Sequence, residues 1–410
     1  MYQKSSLSNG IRVITESLPY VKSVTLGVWL GSGSRSEQSY NHGISHFIEH
    51  LMFKGTEKRT AKEIAETVDA VGGQLNAFTA KEHTCYYMKV LDTHLELAVD
   101  VISDMLLHSK FSSNDIERER EVILEELSMY EDTPDELIHD LHVEKIWPDH
   151  QLGRSIIGTT NSIKQINQSS ILEYYKRFYT PDNLVIAAAG NLTHDRLVAL
   201  AEKYFGQLTG SKYAVGTEIP VFTSSNTVHE KATEQVHICL GTTGVAQDSP
   251  DVYAYYILNN LLGGGVSSRL FQTIREEQGL AYSVYSYQTN YSDGGLVTIY
   301  AGTRPSNVEQ VIQLIDHTVT ELKTNGVSNQ ELMRVKEQLK GNLLLGLESS
   351  SSRMSRLGKM EISLGKYVTL EEVVTKIDRT SVEDIARVIH SIFNLEHRCL
   401  TTLGPINKAK

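Results

Sequence analysis

Leu95-Glu96-Leu97-Ala98-Val99 and Val308-Glu309-Gln310-Val311-Ile312 open two amphipathic stretches that read alike. From Leu95 to Leu107 the apolar positions Leu95, Leu97, Val99, Val101, Ile102, Met105 and Leu106 recur at helical spacing, and Val308 to Leu322 repeats the pattern. An alternating strand pair precedes each stretch, Gln74 to Val90 and Gly279 to Ala301. A long charged helix follows each, Asn114 to Tyr130 and Asn329 to Leu345. Further out, a strand and a helix lead each half: Ser23 to Leu30 with about Gly43 to Phe53, against Val236 to Leu240 with Val252 to Leu262. An apolar strand ending in glycine closes each, Leu184 to Ala189 before Gly190 and Leu400 to Leu403 before Gly404. An offset of roughly 210 residues is a domain duplication and too long for a solenoid repeat.

The remaining elements fit the same frame. Leu7 to Glu16 alternates around Asn9-Gly10 as strand, turn and strand. Ala61 to Val71 is a helix stopped by Gly72-Gly73, Pro134 starts another, and Leu172 to Phe178 gives one more. Strands that arrive as hairpins and helices that arrive in groups predict an α+β fold: two structurally equivalent domains, each a mostly antiparallel sheet with helices packed on one face. The expected division is 1–212, a polar linker at 213–228, and 229–410.

Composition bounds the function. At 410 residues, 40% hydrophobic and 22% charged, the chain can bury two cores. A net charge of -11 excludes a protein that holds nucleic acid by neutralising phosphates. No apolar run has the length of a membrane span and the first residues do not read as a secretory signal. Cys85, Cys239 and Cys399 are odd in number, scattered and without C-x-x-C spacing, which suits buried reduced thiols and a cytoplasmic location.

Chemistry concentrates in Gly43-Ile44-Ser45-His46-Phe47-Ile48-Glu49-His50. Two imidazoles at i and i+4 with a carboxylate between them share one helix face, while Phe47 and Ile48 turn to the core. Such a pair can hold one Zn²⁺ and the carboxylate can move a proton of bound water. An ordinary helix pair with a salt-bridging Glu49 has the same spacing, but the order H-x-x-E-H, a zincin motif reversed, is more specific. A third ligand is expected from the charged helix around Glu117 to Leu127. Most of its carboxylates read as a solvated face, but Glu119 and Glu126 lie seven apart on one side, so one can bind metal while the other orients a ligand.

Together these residues resemble the M16 metallopeptidase family, and more closely its subfamily B, which includes mitochondrial processing peptidase subunits and shorter bacterial relatives. The likeness covers essentially the whole chain and implies the M16/LuxS-like metallohydrolase fold. Position by position it implies His46 and His50 as ligands, Glu49 as general base, and Glu126 as third ligand through the match of Glu119-Arg120-Glu121-Val122-Ile123-Leu124-Glu125-Glu126 to the family's E-R-x-V-I-x-x-E element. Glu119 then assists without ligating, and Glu125 is the neighbour most easily confused with the ligand. One Zn²⁺ per chain follows.

The second half carries its own match, Leu270-Phe271-Gln272-Thr273-Ile274-Arg275-Glu276-Glu277-Gln278-Gly279-Leu280-Ala281-Tyr282. The resemblance implies that Arg275 and Tyr282 reach the substrate from the C-terminal domain. Gly263-Gly264-Gly265 lacks the G-K-[ST] ending of a phosphate loop and resembles the family's glycine-rich loop. Asn76, Ala77 and Phe78 fall on the family's substrate-pairing edge strand. Glu136 and Asp140 stand where processing peptidases recognise a basic residue. Because one chain carries the metal motif together with Arg275 and Tyr282, it is expected to be self-sufficient and to form a homodimer. The expected activity is a zinc-dependent endopeptidase cleaving unfolded peptides or extended segments in a chamber between homologous domains. The rival readings are a non-catalytic peptide-binding or scaffold member of the fold, and a closed structural zinc site.

Overall fold

The computed structural model describes residues 2–211, 218–394 and 397–405. The chain divides into two compact units, one comprising Met1–Leu127, Ser155–Thr217 and Leu345–Tyr367, the other Ser128–Arg154, Glu218–Leu344 and Val368–Lys410. Compared with the consecutive division expected from sequence, the units exchange two helical segments. Of the expected linker, 213–217 lies outside the described residues.

The first unit holds β1 (Tyr2–Ser6), β2 (Arg12–Ser17), β3 (Ser23–Leu30), β4 (Gln74–Thr79), β5 (Thr84–Leu91) and β6 (Leu184–Gly190) in the order β1-β2-β6-β3-β5-β4. Only β2 and β6 pair in parallel. The second unit holds β7 (Ser225–Glu230), β8 (Val236–Thr243), β9 (Ala281–Asn290), β10 (Gly295–Thr303) and β11 (Cys399–Gly404) in the order β7-β11-β8-β10-β9, with β7 and β11 parallel. Leaving β1 aside, the two orders are the same permutation of chain order, which is the duplication expressed as topology. Both sheets are mostly antiparallel, as expected.

In the first unit, helices Ile44–Met52, Leu95–His108, Gln168–Phe178 and His194–Phe205 bury their apolar stripes with one sheet face in a core that includes Leu26, Val28, Phe47, Ile48, Val99 and Ile102. The opposite face takes a single helix, Ser350–Leu364, whose Met354 and Leu357 pack with Ile14, Trp29 and Cys85. In the second unit the corresponding face takes Pro134–Ile146, whose Ile138 packs with Cys239, Tyr300 and Leu403. These two helices are the exchanged segments, so each sheet is covered on that face by a helix from the other half of the sequence. Close approach explains the glycines there: a Cβ on Gly27 would lie 2.3 Å from Met354 Sδ, one on Gly358 2.0 Å from Trp29 Nε1, and one on Gly241 2.4 Å from His142 Nε2. Among the described residues no helix is long and apolar enough to cross a membrane.

Candidate metal centre

Ile44–Met52 is the helix that carries the motif, and its two faces separate as the spacing requires. Ile44, Phe47, Ile48, Leu51 and Met52 are buried in the core, leaving His46, Glu49 and His50 on the other side. Gly43 precedes it at φ 92°, where a Cβ would also press within 2.8 Å of the Ile157 carbonyl oxygen. The first turn has no side-chain cap of its own. Glu37 supplies one from outside: its fully buried carboxylate accepts from the backbone N–H of Gly43 at 2.8 Å and of Ser45 at 2.9 Å. Burial pushes the Glu37 carboxyl up to about 7, against the lowering effect of those two bonds.

The facing helix, Ser113–Glu131, buries Ile116, Ile123 and Leu127 and is fixed by Arg120. The Arg120 guanidinium donates to the carbonyl oxygens of Ile163 and Ile166 and lies 5.8 Å from the centre of the Phe47 ring. That anchorage sets which carboxylates meet the motif. Glu126 Oε1 stands 3.8 Å from His46 Nε2, and its Oε2 stands 3.6 Å from His50 Nε2. Glu125, one residue earlier, is exposed.

Three ligand atoms, one each from His46, His50 and Glu126, all lie within 4.8 Å of one another, and this is the sole such group of three or more His, Cys, Asp or Glu among the described residues. Two ligand atoms held about 2.1 Å from one ion at a tetrahedral angle are about 3.4 Å apart, so these separations fit a shared zinc. Two imidazoles and one carboxylate are a zinc donor set that keeps a position open. Burial, then the neighbouring His50, lowers His46 to about 4, so its imidazole is neutral at pH 7 and available as a ligand.

The surrounding groups are equally ordered. His50 Nδ1 lies 3.2 Å from Glu119 Oε2, and Lys54 Nζ lies 2.8 Å from Glu119 Oε1, so this nearly buried carboxylate has both oxygens engaged. Glu119 therefore sits beside His50 and outside the group of three. Glu49 accepts from the Thr79 hydroxyl at 2.5 Å. Burial raises the Glu49 carboxyl, with the Thr79 bond and His50 opposing and Glu126 adding to the rise.

β4 is an edge strand paired only with β5. Ala77 belongs with the core on the motif-helix side, and its N–H is held by Asn76 Oδ1 at 2.8 Å. Phe78 turns to the opposite face, edge-on to Trp29 at 5.6 Å and beside Tyr87. Thr79, returning to the motif-helix side, is the β4 residue whose side chain bonds Glu49. Sequence reasoning missed it along with Lys54 and Glu37; for Thr79 the signal was present, since period-two alternation places it with Ala77.

The other expected residues lie in the second unit. Arg275, on the segment Phe271–Glu277, holds its guanidinium 4.6 Å from the Phe271 ring centre and 4.7 Å from that of Tyr282, which is 78% exposed at the start of β9. Arg275 also lines a cavity of about 350 Å³ with Gly263, Gly264, Gly265 and Phe271. Glu136 and Asp140 share the helix Pro134–Ile146, where the Tyr130 hydroxyl donates to the Glu136 carbonyl oxygen at 3.1 Å. Burial, then Asp140 and Glu136, raises Tyr130.

Residues 12–160 match the family model described as "Insulinase (Peptidase family M16)", and residues 165–339 match the one described as "Peptidase M16 inactive domain". The chain is 44% identical over 405 residues to the Bacillus subtilis protein named "Uncharacterized zinc protease YmxG", covering 99% of this chain and 98% of the relative. In fold it is similar to a protease from Helicobacter pylori, with a TM-score of 0.92 and 23% identity over 98% of this chain and 99% of that one. It is similar also to a peptidase M16 inactive domain from Pseudomonas fluorescens, with a TM-score of 0.93 and 22% identity over 100% and 99%. With a relative of such identity matched end to end and family models on both halves, the chain belongs to peptidase family M16.

Proposed function

We propose that this protein is a zinc-dependent endopeptidase acting on unfolded peptides, with one zinc per chain held by His46, His50 and Glu126. The observation that carries the reading is the convergence of those three ligand atoms on one point, with a half-buried carboxylate, Glu49, on the same helix face as both histidines. Bound zinc supplies Lewis-acid polarisation of a water molecule and of the substrate carbonyl.

The rest is done by the chain. Glu119 accepts a hydrogen bond from the Nδ1–H of His50, which leaves the Nε2 lone pair free for the point shared with His46 and Glu126, while Lys54 balances the Glu119 charge. Glu49 takes the proton from the attacking water on its Oε1 and delivers it to the leaving amine nitrogen. The free edge of β4 holds an extended peptide by backbone pairing, which favours unfolded substrates over folded ones. In this reading Arg275 and Tyr282 bind the substrate, Glu136 and Asp140 favour a basic residue near the cut, and the active form is a homodimer.

Glu49→Gln is the test. The variant is expected to keep stoichiometric zinc and to lose chelator-sensitive cleavage of a quenched peptide library. Cleavage at the wild-type rate in that variant would refute Glu49 as base. Zinc-loaded wild type that binds the library without cutting it would instead make the chain a peptide-binding member of the family. Arg275→Ala and Tyr282→Phe, assayed alongside, lower kcat/KM with zinc content unchanged if they serve substrate.

A further inference from the structure

A glutamate on a helix is a loosely aimed base. Its terminal torsion is broad and roughly two-fold, so the plane of the carboxylate, and hence the direction of each oxygen, is poorly fixed by packing alone. Among the described residues Glu49 is restrained by a single side-chain hydrogen bond, from the Thr79 hydroxyl to Oε2. The carboxylate can only accept, so the hydroxyl donates. With Oε2 held, Oε1 has one direction left to it.

The donor's location gives the bond a second consequence. Thr79 ends β4, where it is paired with Thr84 of β5 on one side, and the other side of the strand is the free sheet edge. A peptide laid on that edge would take its register from the backbone of Gln74–Thr79.

We propose that Thr79 is a positioning residue for Glu49, whose hydroxyl fixes the plane of the base from the strand on which a peptide substrate is registered. One strand then sets both the place of the scissile carbonyl along the edge and the aim of the group that deprotonates water. The proposal rests on the peptidase reading above.

Thr79→Val is the discriminating variant, because valine keeps the β-branched shape that suits a strand and removes the donor. Thr79→Ser keeps the donor. A misplacement of about 1 Å at a reacting group costs on the order of 100-fold in rate. T79V is therefore expected to lose roughly 10- to 100-fold in kcat, with KM and zinc affinity by chelator competition close to wild type. T79S is expected to recover most of the rate. A crystal structure of zinc-free T79V is expected to show the Glu49 carboxylate turned from its wild-type orientation.

Wild-type kcat in T79V overturns the proposal, as does T79S no faster than T79V, which would make strand packing the cause. Loss of zinc affinity in T79V equal to the loss of rate overturns it too, because the defect would then lie in the ligands. An unmoved Glu49 in the zinc-free structure refutes it without any assay of turnover. Full activity in E49Q is a different failure: it removes the base, and the peptidase mechanism falls with it whatever T79V does.

Discussion

Glu37→Gln isolates a buried charge that holds the motif helix, and its effect on stability has an unusual sign. The carboxyl stands at about 7 in the folded protein against an ordinary 4.5, chiefly because it is fully buried. Below pH 4.5 it is protonated whether the chain is folded or not, and its contribution is fully present. As pH rises the unfolded chain releases the proton first, so stability falls until the folded carboxyl also ionises near pH 7. The gap between the two values, at about 1.4 kcal/mol per pH unit, is worth roughly 3 kcal/mol across that window. Histidines oppose it: half-buried His46 and His83 are lowered to about 4 and buried His142 to about 3, all by desolvation first, and each adds stability as pH rises toward 6.5.

The wild-type curve alone therefore cannot assign the effect, but the difference between wild type and E37Q can, since glutamine does not titrate and the histidines cancel. Urea denaturation of the zinc-free proteins at intervals from pH 4.5 to 8 supplies it. Glutamine turns an NH₂ toward one of the two helix N–H groups, so E37Q carries a constant offset. Above that offset, wild type is expected to lose roughly 3 kcal/mol relative to E37Q between pH 4.5 and 7 and nothing further beyond. Parallel curves would mean that the folded carboxyl ionises near its ordinary value, and would refute the claim that burial outweighs the bonds from Gly43 and Ser45.

Two other outcomes follow from single contacts. Glu126→Gln is expected to weaken zinc binding by on the order of 100-fold or more, since even residues beyond the ligands cost about 10- to 100-fold, while Glu125→Gln leaves affinity near wild type; zinc titration against a competing chelator measures both, and equal losses would undo the ligand assignment. Gly341→Ala, inside helix Asn329–Gly346 where an added Cβ meets nothing within 4 Å, is expected to stabilise the protein by roughly 0.5–1 kcal/mol in urea unfolding. A destabilised variant would show that the position needs the freedom of glycine.

Much of the fold was legible because it is written locally. The stripe Leu95 to Leu106 predicts the helix observed at Leu95–His108, and the alternation of Gln74 to Val90 predicts β4 and β5. The first hairpin shows the limit of such patterns: Leu7 to Glu16 alternates, yet the strands are Tyr2–Ser6 and Arg12–Ser17 with the turn between them. Periodicity says which residues of a helix face apolar surroundings and not which sheet supplies them. For that reason Pro134–Ile146 and Ser350–Leu364 could not be assigned to their sheets from sequence, although Ile138 and Met354 are ordinary core residues once placed. The site divides in the same way. His46, Glu49 and His50 are neighbours on one helix and Glu126 follows from the family element. Lys54 and Glu37 act through partners whose spacing from them carries no periodic signal, and for Thr79 alternation gives the side of the sheet but not the partner.

The duplication makes the one-sidedness of the chemistry informative. Strand order is shared, so the helix after β8, Val252–Gly263, occupies the place in its unit that Ile44–Met52 occupies after β3. Its sequence, Val-Tyr-Ala-Tyr-Tyr-Ile-Leu-Asn-Asn-Leu-Leu-Gly, has no histidine or carboxylate. Its polar side chains near the corresponding turn are the buried Asn259 and Asn260. The fold therefore does not create the cluster of His46, His50 and Glu126; it creates a helix packed on a sheet next to an edge strand, twice. In the first unit the solvent-side face of that helix is given to two imidazoles and a carboxylate, opposite a second helix whose Arg120 anchor brings Glu126 to them. In the second unit the counterpart helix is apolar on nearly every face, and the polar groups gather elsewhere, at Arg275 stacked between Phe271 and Tyr282. At this helix the two copies of one architecture differ in what they present: the first carries two imidazoles and a carboxylate on its solvent-side face, and the second carries neither.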